Sequence, residues 1–302
     1  MHKKTRMQLL AYILAYPIIW FISILPFRIL YFFSDVCYVI VYHIVRYRRK
    51  TVHLNLVLTL RHLSQEERNV VEKKFYHHFC DNFFEMAKSL TISDKQLKKR
   101  FVFTNYELVH EYEAKSKSVV MLLGHYGSYE WLLYMNKGFT THKGFGIYKI
   151  IRNKYFDKLV KKMRGRFDAQ LIGVRQTIPS MRQNERDGIL GFYGFISDQS
   201  PKLGSTIHWG DFFGMEVPIH VGGEMLAKKI GMNMIFAKVD KTSRGHYQCT
   251  FVPVEDAIKE IPNYEISDRF MKMLEQQIIA APENYLWTHK RFKHRRNDPP
   301  IA

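Results

Sequence analysis

Hydrophobic residues are densest at the start of the chain, where residues 9–27 include no charged side chain. A helix of that length, 19 residues, is about 28 Å long, which is close to the thickness of the hydrocarbon core of a bilayer. Pro17 and Pro26 interrupt the run and allow a kink or a re-entrant shape. Trp20 and several tyrosines suit the interface between lipid and water. The pattern predicts a membrane-anchoring segment.

A second apolar run, residues 29–45, contains Asp35 and His43 and ends in the basic sequence RYRRK. Since basic residues also precede the first run, both flanks are expected on the cytoplasmic side. We therefore predict a hydrophobic membrane-anchoring helix or hairpin in residues 1–50. A cleaved signal peptide is disfavoured because no small-residue cleavage site follows the run. A buried helix of a soluble core is the other alternative.

Residues 51–302 are predicted to form one domain with an α/β fold. Ser64 and Glu67 have the spacing of a capping box, and apolar residues then recur with a helical period. Farther on, short apolar runs alternate with helical patterns, which favours a mixed sheet flanked by helices. The predicted strands are 118–123, 144–151, 169–174, 188–197, 232–239 and 246–254, and the predicted helices are 64–90, 104–115, 128–138, 154–166, 176–185, 221–231 and 264–281.

Charge narrows the choice of partners. Lys and Arg outnumber Asp and Glu by 46 to 28, which gives a net charge of +18. Such an excess indicates a polyanionic partner: nucleic acid, anionic lipid headgroups or an acidic carrier protein. Stacking on bases requires aromatic residues interleaved with basic ones on an exposed face, whereas most aromatic residues here lie in apolar runs. Nucleic acid is therefore disfavoured. The three widely spaced cysteines fit a reducing compartment.

The most informative segment is GHYGSYE, residues 124–130, which directly follows a predicted strand. Catalytic groups in α/β sheets gather at the carboxyl ends of strands. A neutral imidazole can remove a proton from a hydroxyl near pH 7, and a carboxylate on its other nitrogen fixes the tautomer. We therefore predict that His125 is a general base oriented by Glu130. The alternative is that His125 caps a turn and Glu130 is a solvated acid at a helix start.

Other catalytic templates find no support. The chain contains no HExxH and no CxxC pair, so no metal site is predicted. Phosphate-binding glycine loops and a GxSxG elbow are also absent, so neither a nucleotide cofactor nor a serine hydrolase is indicated. No cofactor is predicted.

The segment GHYGSYEW, residues 124–131, resembles the H-x4-[DE] block of the lipid A late acyltransferase family. The resemblance extends from about residue 5 to 295, with further blocks in the same order. These are Tyr47 to Leu56, Ile147-Tyr148-Lys149 through Asp157, Arg164-Gly165-Arg166, Ser197-Asp198-Gln199, Phe212-Phe213-Gly214, Gly223 to Ala227, and Trp287-Thr-His289-Lys-Arg291-Phe292.

The resemblance implies an acyltransferase on the cytoplasmic face of the inner membrane. The implied donor is an acyl chain on acyl carrier protein, and the implied acceptor is a hydroxyl of a phosphorylated lipid A precursor. Arg166 is then expected to contact an acceptor phosphate or the developing oxyanion, and Asp198 to order the site or bind the acceptor. Gly165 and Lys149 belong to the same substrate-binding blocks.

Two departures concern the acceptor. Lys149-Ile150 stands where the family usually has Arg-Pro, and Ser128-Tyr129 where it has Asn-Trp. Lysine is a point charge rather than a fork, so acceptor recognition is open. An aminolipid or lysophospholipid O-acyltransferase of the same superfamily is the alternative. A nucleic-acid-binding membrane protein and a membrane scaffold with an inactive site are further hypotheses.

Overall fold

A computed structural model describes residues 3–297. The chain begins with two apolar helices, α1 (Lys3–Ile24) and α2 (Phe27–Val39), and a π-helical turn (Ile40–Ile44) extends the second. Pro26 separates them, because proline cannot continue the hydrogen bonding of a helix but is tolerated at the start of the next one. Only 6% of the first apolar stretch and 22% of the second are buried. Both helices could therefore anchor the protein to a membrane, as the sequence predicted.

Polar contacts fasten α2 to the long helix α4 (Gln65–Lys88). Nη2 of Arg244 lies 2.6 Å from Oδ1 of Asp35 and 2.7 Å from Oδ1 of Asp81, which is on α4. The hydroxyl of Ser34 donates to the same Asp81 oxygen at 2.7 Å. The acidic residue that interrupts the second apolar run is thus paired with a cation from the rest of the protein. The division of the chain into residues 1–50 and 51–302 stays a prediction.

The remaining helices are α3 (Arg49–Thr59), α5 (Asp94–Arg100), α6 (Glu107–Ala114), α7 (Lys154–Gly165), α8 (Thr177–Arg186), α9 (Gly222–Ile230) and α10 (Glu265–Ala280). The strands are β1 (Phe101–Phe103), β2 (Val119–Leu123), β3 (Lys143–Tyr148), β4 (Ala169–Gly173), β5 (Gly191–Ile196), β6 (Trp209–Phe212), β7 (Met215–Pro218), β8 (Asn233–Ser243) and β9 (His246–Pro253). Within residues 3–297, 3₁₀ helices lie at Trp131–Gly138, Val174–Gln176, Leu203–Ser205 and Pro282–Asn284.

Seven strands form one mixed sheet in the order β1-β9-β8-β2-β5-β3-β4, and β6 and β7 form a separate hairpin. All neighbours in the large sheet are parallel except the antiparallel pair β8 and β9. β2 is central, and all five of its residues are buried, as expected for a strand covered on both faces. Because β2 and β5 are parallel neighbours, the segments that follow them meet at one edge of the sheet.

The predicted α/β architecture is confirmed. Ser64 and Glu67 form the capping box that starts α4, since each side chain bonds the backbone N–H of the other. The segment predicted as a helix over 128–138 is a 3₁₀ helix that begins at Trp131. The short elements α3, α5 and β1 and the hairpin β6–β7 were not predicted, because three to eleven residues carry little periodicity.

Candidate active site

His125 lies two residues beyond the end of β2, in a turn that contains two closely packed glycines. Gly127 has a φ of +57°, which disfavours any side chain. A Cβ at this position would lie 3.1 Å from Cγ1 of Val239. A Cβ on Gly124 would lie 2.8 Å from Cδ1 of Leu274. The positive φ of Gly127 therefore favours glycine in this turn, and a side chain at Gly124 would require the Leu274 side chain to move.

The C-terminal segment holds the same turn from its other side. The backbone N–H of Leu286 donates to the carbonyl of His125 at 3.1 Å, and that of Gly127 donates to the carbonyl of Asn284 at 3.0 Å. Trp287 is fully buried, and its Nε1 donates to the carbonyl of Pro282 at 2.7 Å. These contacts fix the backbone on which the imidazole stands.

Asp198 supplies the carboxylate that pairs with the imidazole. β5 ends at Ile196, which is in register with Leu123 of β2, so the residues two positions beyond each strand end come together. Nδ1 of His125 is 2.7 Å from Oδ1 of Asp198, and the side chains are 18% and 1% exposed. Since an ionised carboxylate only accepts hydrogen bonds, Nδ1 carries the proton and the lone pair is on Nε2. This arrangement suits a general base.

Burial and charge act in opposite directions on the pKa of this pair. Burial lowers the pKa of the His125 imidazole, but the charge and hydrogen bond of Asp198 outweigh it, so the pKa is raised overall. Burial raises the pKa of the Asp198 carboxyl, but His125 and nearby backbone N–H groups lower it overall. The raised pKa of His125 means that the ion pair stabilises the folded protein. This stabilisation is complete below the pKa of histidine in the unfolded chain and is lost as pH rises through the pKa of His125 in the folded protein.

Glu130 is close enough to influence His125 but is bonded elsewhere. Its carboxylate accepts a two-pronged interaction from Arg164, with Nε to Oε2 at 2.9 Å and Nη2 to Oε1 at 2.5 Å. Within residues 3–297, no hydrogen bond joins Glu130 to the imidazole, although its charge favours the protonated ring. Burial lowers the pKa of Arg164, and Glu130 raises it overall. The site therefore contains two ion pairs, His125 with Asp198 and Arg164 with Glu130.

An apolar cavity of about 560 Å³ extends from the imidazole between the sheet and the 3₁₀ helix Trp131–Gly138. Residues of β2, β3 and β5 line one side of it, and apolar residues of the 3₁₀ helix, including Leu132, Leu133 and Met135, line the other. His125, Glu130, Arg164 and Gln199 lie at the polar end. Nε2 of Gln199 is 3.4 Å from Nε2 of His125. A cavity with this composition can hold an alkyl chain with its reactive end at the imidazole.

A smaller cavity of about 190 Å³ also reaches His125. Aromatic side chains of α4, including Phe79 and Phe83, form much of its wall. Asn82 and Asn284 also line this cavity. The Oδ1 atom of each is buried and accepts no hydrogen bond from the part of the chain that the structure describes.

The other residues predicted from the sequence are placed differently. Lys149 lines the larger cavity, as do both predicted dyad residues. Arg166 does not line it: its guanidinium donates to the carbonyls of Ser89 and Ile92, at 2.5 and 2.9 Å, behind the end of α4. α7 ends at Gly165, which also lies outside the cavity lining. Of the arginine motif, the structure therefore brings Arg164 to the site, whereas substrate contact by Arg166 and Gly165 stays a prediction.

The C-terminal motif contributes residues that the sequence analysis named only through a resemblance. Arg291 is 1% exposed, and its Nη1 donates to Oγ of Ser200 at 3.3 Å. Burial lowers its pKa, while Tyr285 and Asp198 act in the opposite direction. Nε2 of His289 accepts from the backbone N–H of Ser200 at 3.2 Å, and burial lowers the pKa of His289 to about 4, so this ring is neutral. The high density of basic residues in this C-terminal segment did not predict that some of them are buried.

The α/β fold thus places a histidine–aspartate pair next to an apolar cavity. The chain belongs to the bacterial lipid A biosynthesis acyltransferase family, whose model matches residues 1–294. It is 23% identical over 289 residues to a lipid A biosynthesis lauroyltransferase of Escherichia coli K12, with 95% of this chain and 92% of the relative covered. It is 22% identical to lipid A biosynthesis acyltransferase 2 of Shigella flexneri, with 84% and 80% covered. Identity to a lipid A biosynthesis acyltransferase of Haemophilus influenzae is 23%, with 84% and 79% covered.

Proposed function

We propose that this acyltransferase moves a fatty acyl chain from acyl carrier protein to a hydroxyl of a lipid A precursor, with His125 as general base and Asp198 as the residue that orients it. The observation that carries the proposal is the 2.7 Å contact between Nδ1 and Asp198 at the mouth of an apolar cavity. This contact directs the basic nitrogen, Nε2, away from the carboxylate.

The proposed acyl transfer proceeds through a tetrahedral intermediate. Nε2 of His125 takes the proton of the acceptor hydroxyl while its oxygen attacks the thioester carbonyl carbon. The tetrahedral intermediate collapses, the carbon–sulfur bond breaks, and the imidazolium gives its proton to the leaving thiolate. An ester and a free carrier thiol result. General-base assistance of this kind contributes typically about 10²–10⁴ in rate.

This proposal assigns the orienting role, expected of Glu130, to Asp198. Glu130 instead holds Arg164 at the polar end of the cavity. A paired guanidinium keeps its charge and a fixed orientation, so we assign Arg164 the contact with acceptor phosphate or oxyanion that the sequence suggested for Arg166. Lys149, on the same cavity wall, is proposed as a second cation for the acceptor.

The surface properties of the chain support the proposed partners and location. A carrier protein and a phosphorylated glycolipid are both polyanions, which suits a net charge of +18. The exposed apolar sides of α1 and α2 suit an anchor in the inner membrane, and basic residues near an anionic leaflet each add about 1 kcal/mol. The proposed location is the cytoplasmic face.

Purified protein in detergent or lipid tests the proposal directly. The donor is an acyl carrier thioester, and the parallel acceptors are a Kdo-bearing lipid A precursor and a lysophospholipid, with products followed by mass spectrometry. We expect the lipid A precursor to gain one acyl chain and His125→Asn to lose at least about 10² in rate. Acylation of the lysophospholipid alone would overturn the acceptor, and a fully active His125→Asn would overturn the mechanism.

A further inference from the structure

Two glycines lie side by side on the floor of the apolar cavity. Gly146 of β3 and Gly194 of β5 are in register with each other, and both line the cavity. In the same row across the sheet, β2 contributes Met121 and β4 contributes Leu171. Large side chains at both ends and none in the middle leave a trough. Glycine is unfavourable inside a strand, so it often marks the close approach of a ligand.

The number of residues between the trough and His125 limits the distance between them. Met121 precedes His125 by four residues, two of them in the turn that follows β2, so their Cα atoms are at most about 13 Å apart at about 3.3 Å per residue. An extended alkyl chain advances about 1.25 Å per carbon when its bonds and angles resemble about 1.52 Å and 111°. A chain whose carbonyl carbon, C1, is at the imidazole therefore reaches the glycine pair by about its eleventh carbon.

Bulky groups close the cavity one row beyond the trough. Phe192 of β5 lines the cavity two residues before Gly194 and is 2% exposed. Its neighbour in β3 is Gly144, and this position is covered: a Cβ on Gly144 would lie 2.1 Å from Oδ1 of Asn136. The end of the cavity is thus an aromatic ring beside an amide. Phe192 is in register with Val119, six residues before His125, so it is at most about 20 Å from His125 along the chain, the length of about 16 carbon–carbon steps.

We infer that the pair Gly146 and Gly194 sets the acyl chain length of the donor, by opening the floor to a saturated chain of about 12–16 carbons that Phe192 then stops. This inference rests on the proposed acyl transfer. Gly194 is the better position to test. A Cβ there meets only ordinary contacts, the nearest being Cε of Met121 at 3.7 Å, so alanine fits the fold while narrowing the trough. Gly146 is tighter, with Cδ2 of Leu171 at 3.1 Å.

The experiment offers acyl carrier donors of 8, 10, 12, 14 and 16 carbons, about the range bracketed above, in competition to wild type, Gly194→Ala and Gly194→Val. We expect the ratio of 14-carbon to 10-carbon transfer to fall at least about tenfold in Gly194→Val and less in Gly194→Ala. Gly222→Ala is the matched control, because a Cβ there has nothing within 4 Å, and it should keep the wild-type ratio. Thermal unfolding is recorded for each variant.

Phe192→Leu supplies an independent arm in the opposite direction, with increased transfer of chains of 16 carbons or more, at or beyond the estimated stop. An unchanged chain preference in folded Gly194→Val overturns the inference. If Gly194→Val does not fold, an unchanged preference in Gly194→Ala and Phe192→Leu overturns it. These results differ from failure of the proposed function, in which wild type itself transfers no chain from any carrier donor.

Discussion

Replacing Gly127 by alanine tests how strictly the histidine turn is built. The residue has a φ of +57°, and a side chain in the left-handed region costs about 1–2 kcal/mol. A new methyl group would also lie 3.1 Å from Cγ1 and 3.3 Å from the carbonyl oxygen of Val239, and crowding of this kind costs about 1–3 kcal/mol. We therefore expect Gly127→Ala to lose about 2–5 kcal/mol of unfolding free energy.

Gly188 separates the two contributions to that loss. Its φ is +66°, but a Cβ there has no atom within 4 Å. Gly188→Ala should therefore lose only the conformational part, about 1–2 kcal/mol. Denaturant unfolding of both variants measures the two losses. Equal losses would show that the contacts with Val239 do not constrain the turn.

Activity distinguishes the turn from an ordinary structural glycine. A displacement of about 1 Å at a reacting group can cost about 10² in rate, so folded Gly127→Ala should lose about 10² in kcat. Gly188→Ala, whose site lies outside the cavity, should keep its kcat. Full kcat in Gly127→Ala would refute the view that this turn positions His125.

Four further substitutions test other parts of the site and fold. Asp198→Asn removes the charge that raises the pKa of His125, so the acid limb of the pH–rate profile should move to lower pH while the plateau falls about 10²–10⁴; an unmoved limb would contradict the pairing. Arg164→Gln should lower kcat/KM at least about tenfold. Arg166→Gln should instead lose about 1–3 kcal/mol of stability with kcat nearly unchanged. Steady-state kinetics and thermal unfolding of both variants distinguish the two effects. Ser64→Ala removes the capping bond to the N–H of Glu67 and should cost about 1 kcal/mol without changing kcat; an unchanged unfolding midpoint would argue against the cap.

Much of the fold follows from periodicity. β2 is a continuous apolar run because it is buried on both faces. The capping box and the helical spacing of apolar residues predict α4. The hairpin β6–β7 and strand β1 were beyond that reasoning, since they have four or fewer residues per strand. Their positions are set by packing against distant segments rather than by local pattern.

The site shows a sharper limit. Local spacing suggested Glu130 for the imidazole because it is five residues away. The observed partner, Asp198, is 73 residues away and arrives only because β2 and β5 are parallel neighbours in register. Strand order was not available from the pattern. The predicted end of β2 matches the structure and that of β5 is one residue late, so knowledge of the strand order alone would have suggested the contact.

The arginine motif illustrates the same point within three residues. Arg164 and Arg166 are the same residue type and flank Gly165, so the sequence does not distinguish them. In the structure, α7 ends between them at Gly165. One guanidinium points to Glu130 in the cavity, and the other caps carbonyls at the end of α4. Which of two neighbouring cations reaches a site depends on where a helix ends, and helix ends are uncertain by one or two residues.

The most direct test of His125 as the base is lipid A mass spectrometry of a deletion strain. The strain is complemented with wild type, His125→Asn or His208→Asn, and immunoblots of the membrane fraction confirm equal amounts of protein. His208 pairs with Asp268 outside both cavities that reach His125, so it serves as the matched control. We predict that wild type and His208→Asn restore the missing acyl chain and that His125→Asn does not. Restoration of the full lipid A mass by His125→Asn would contradict the account.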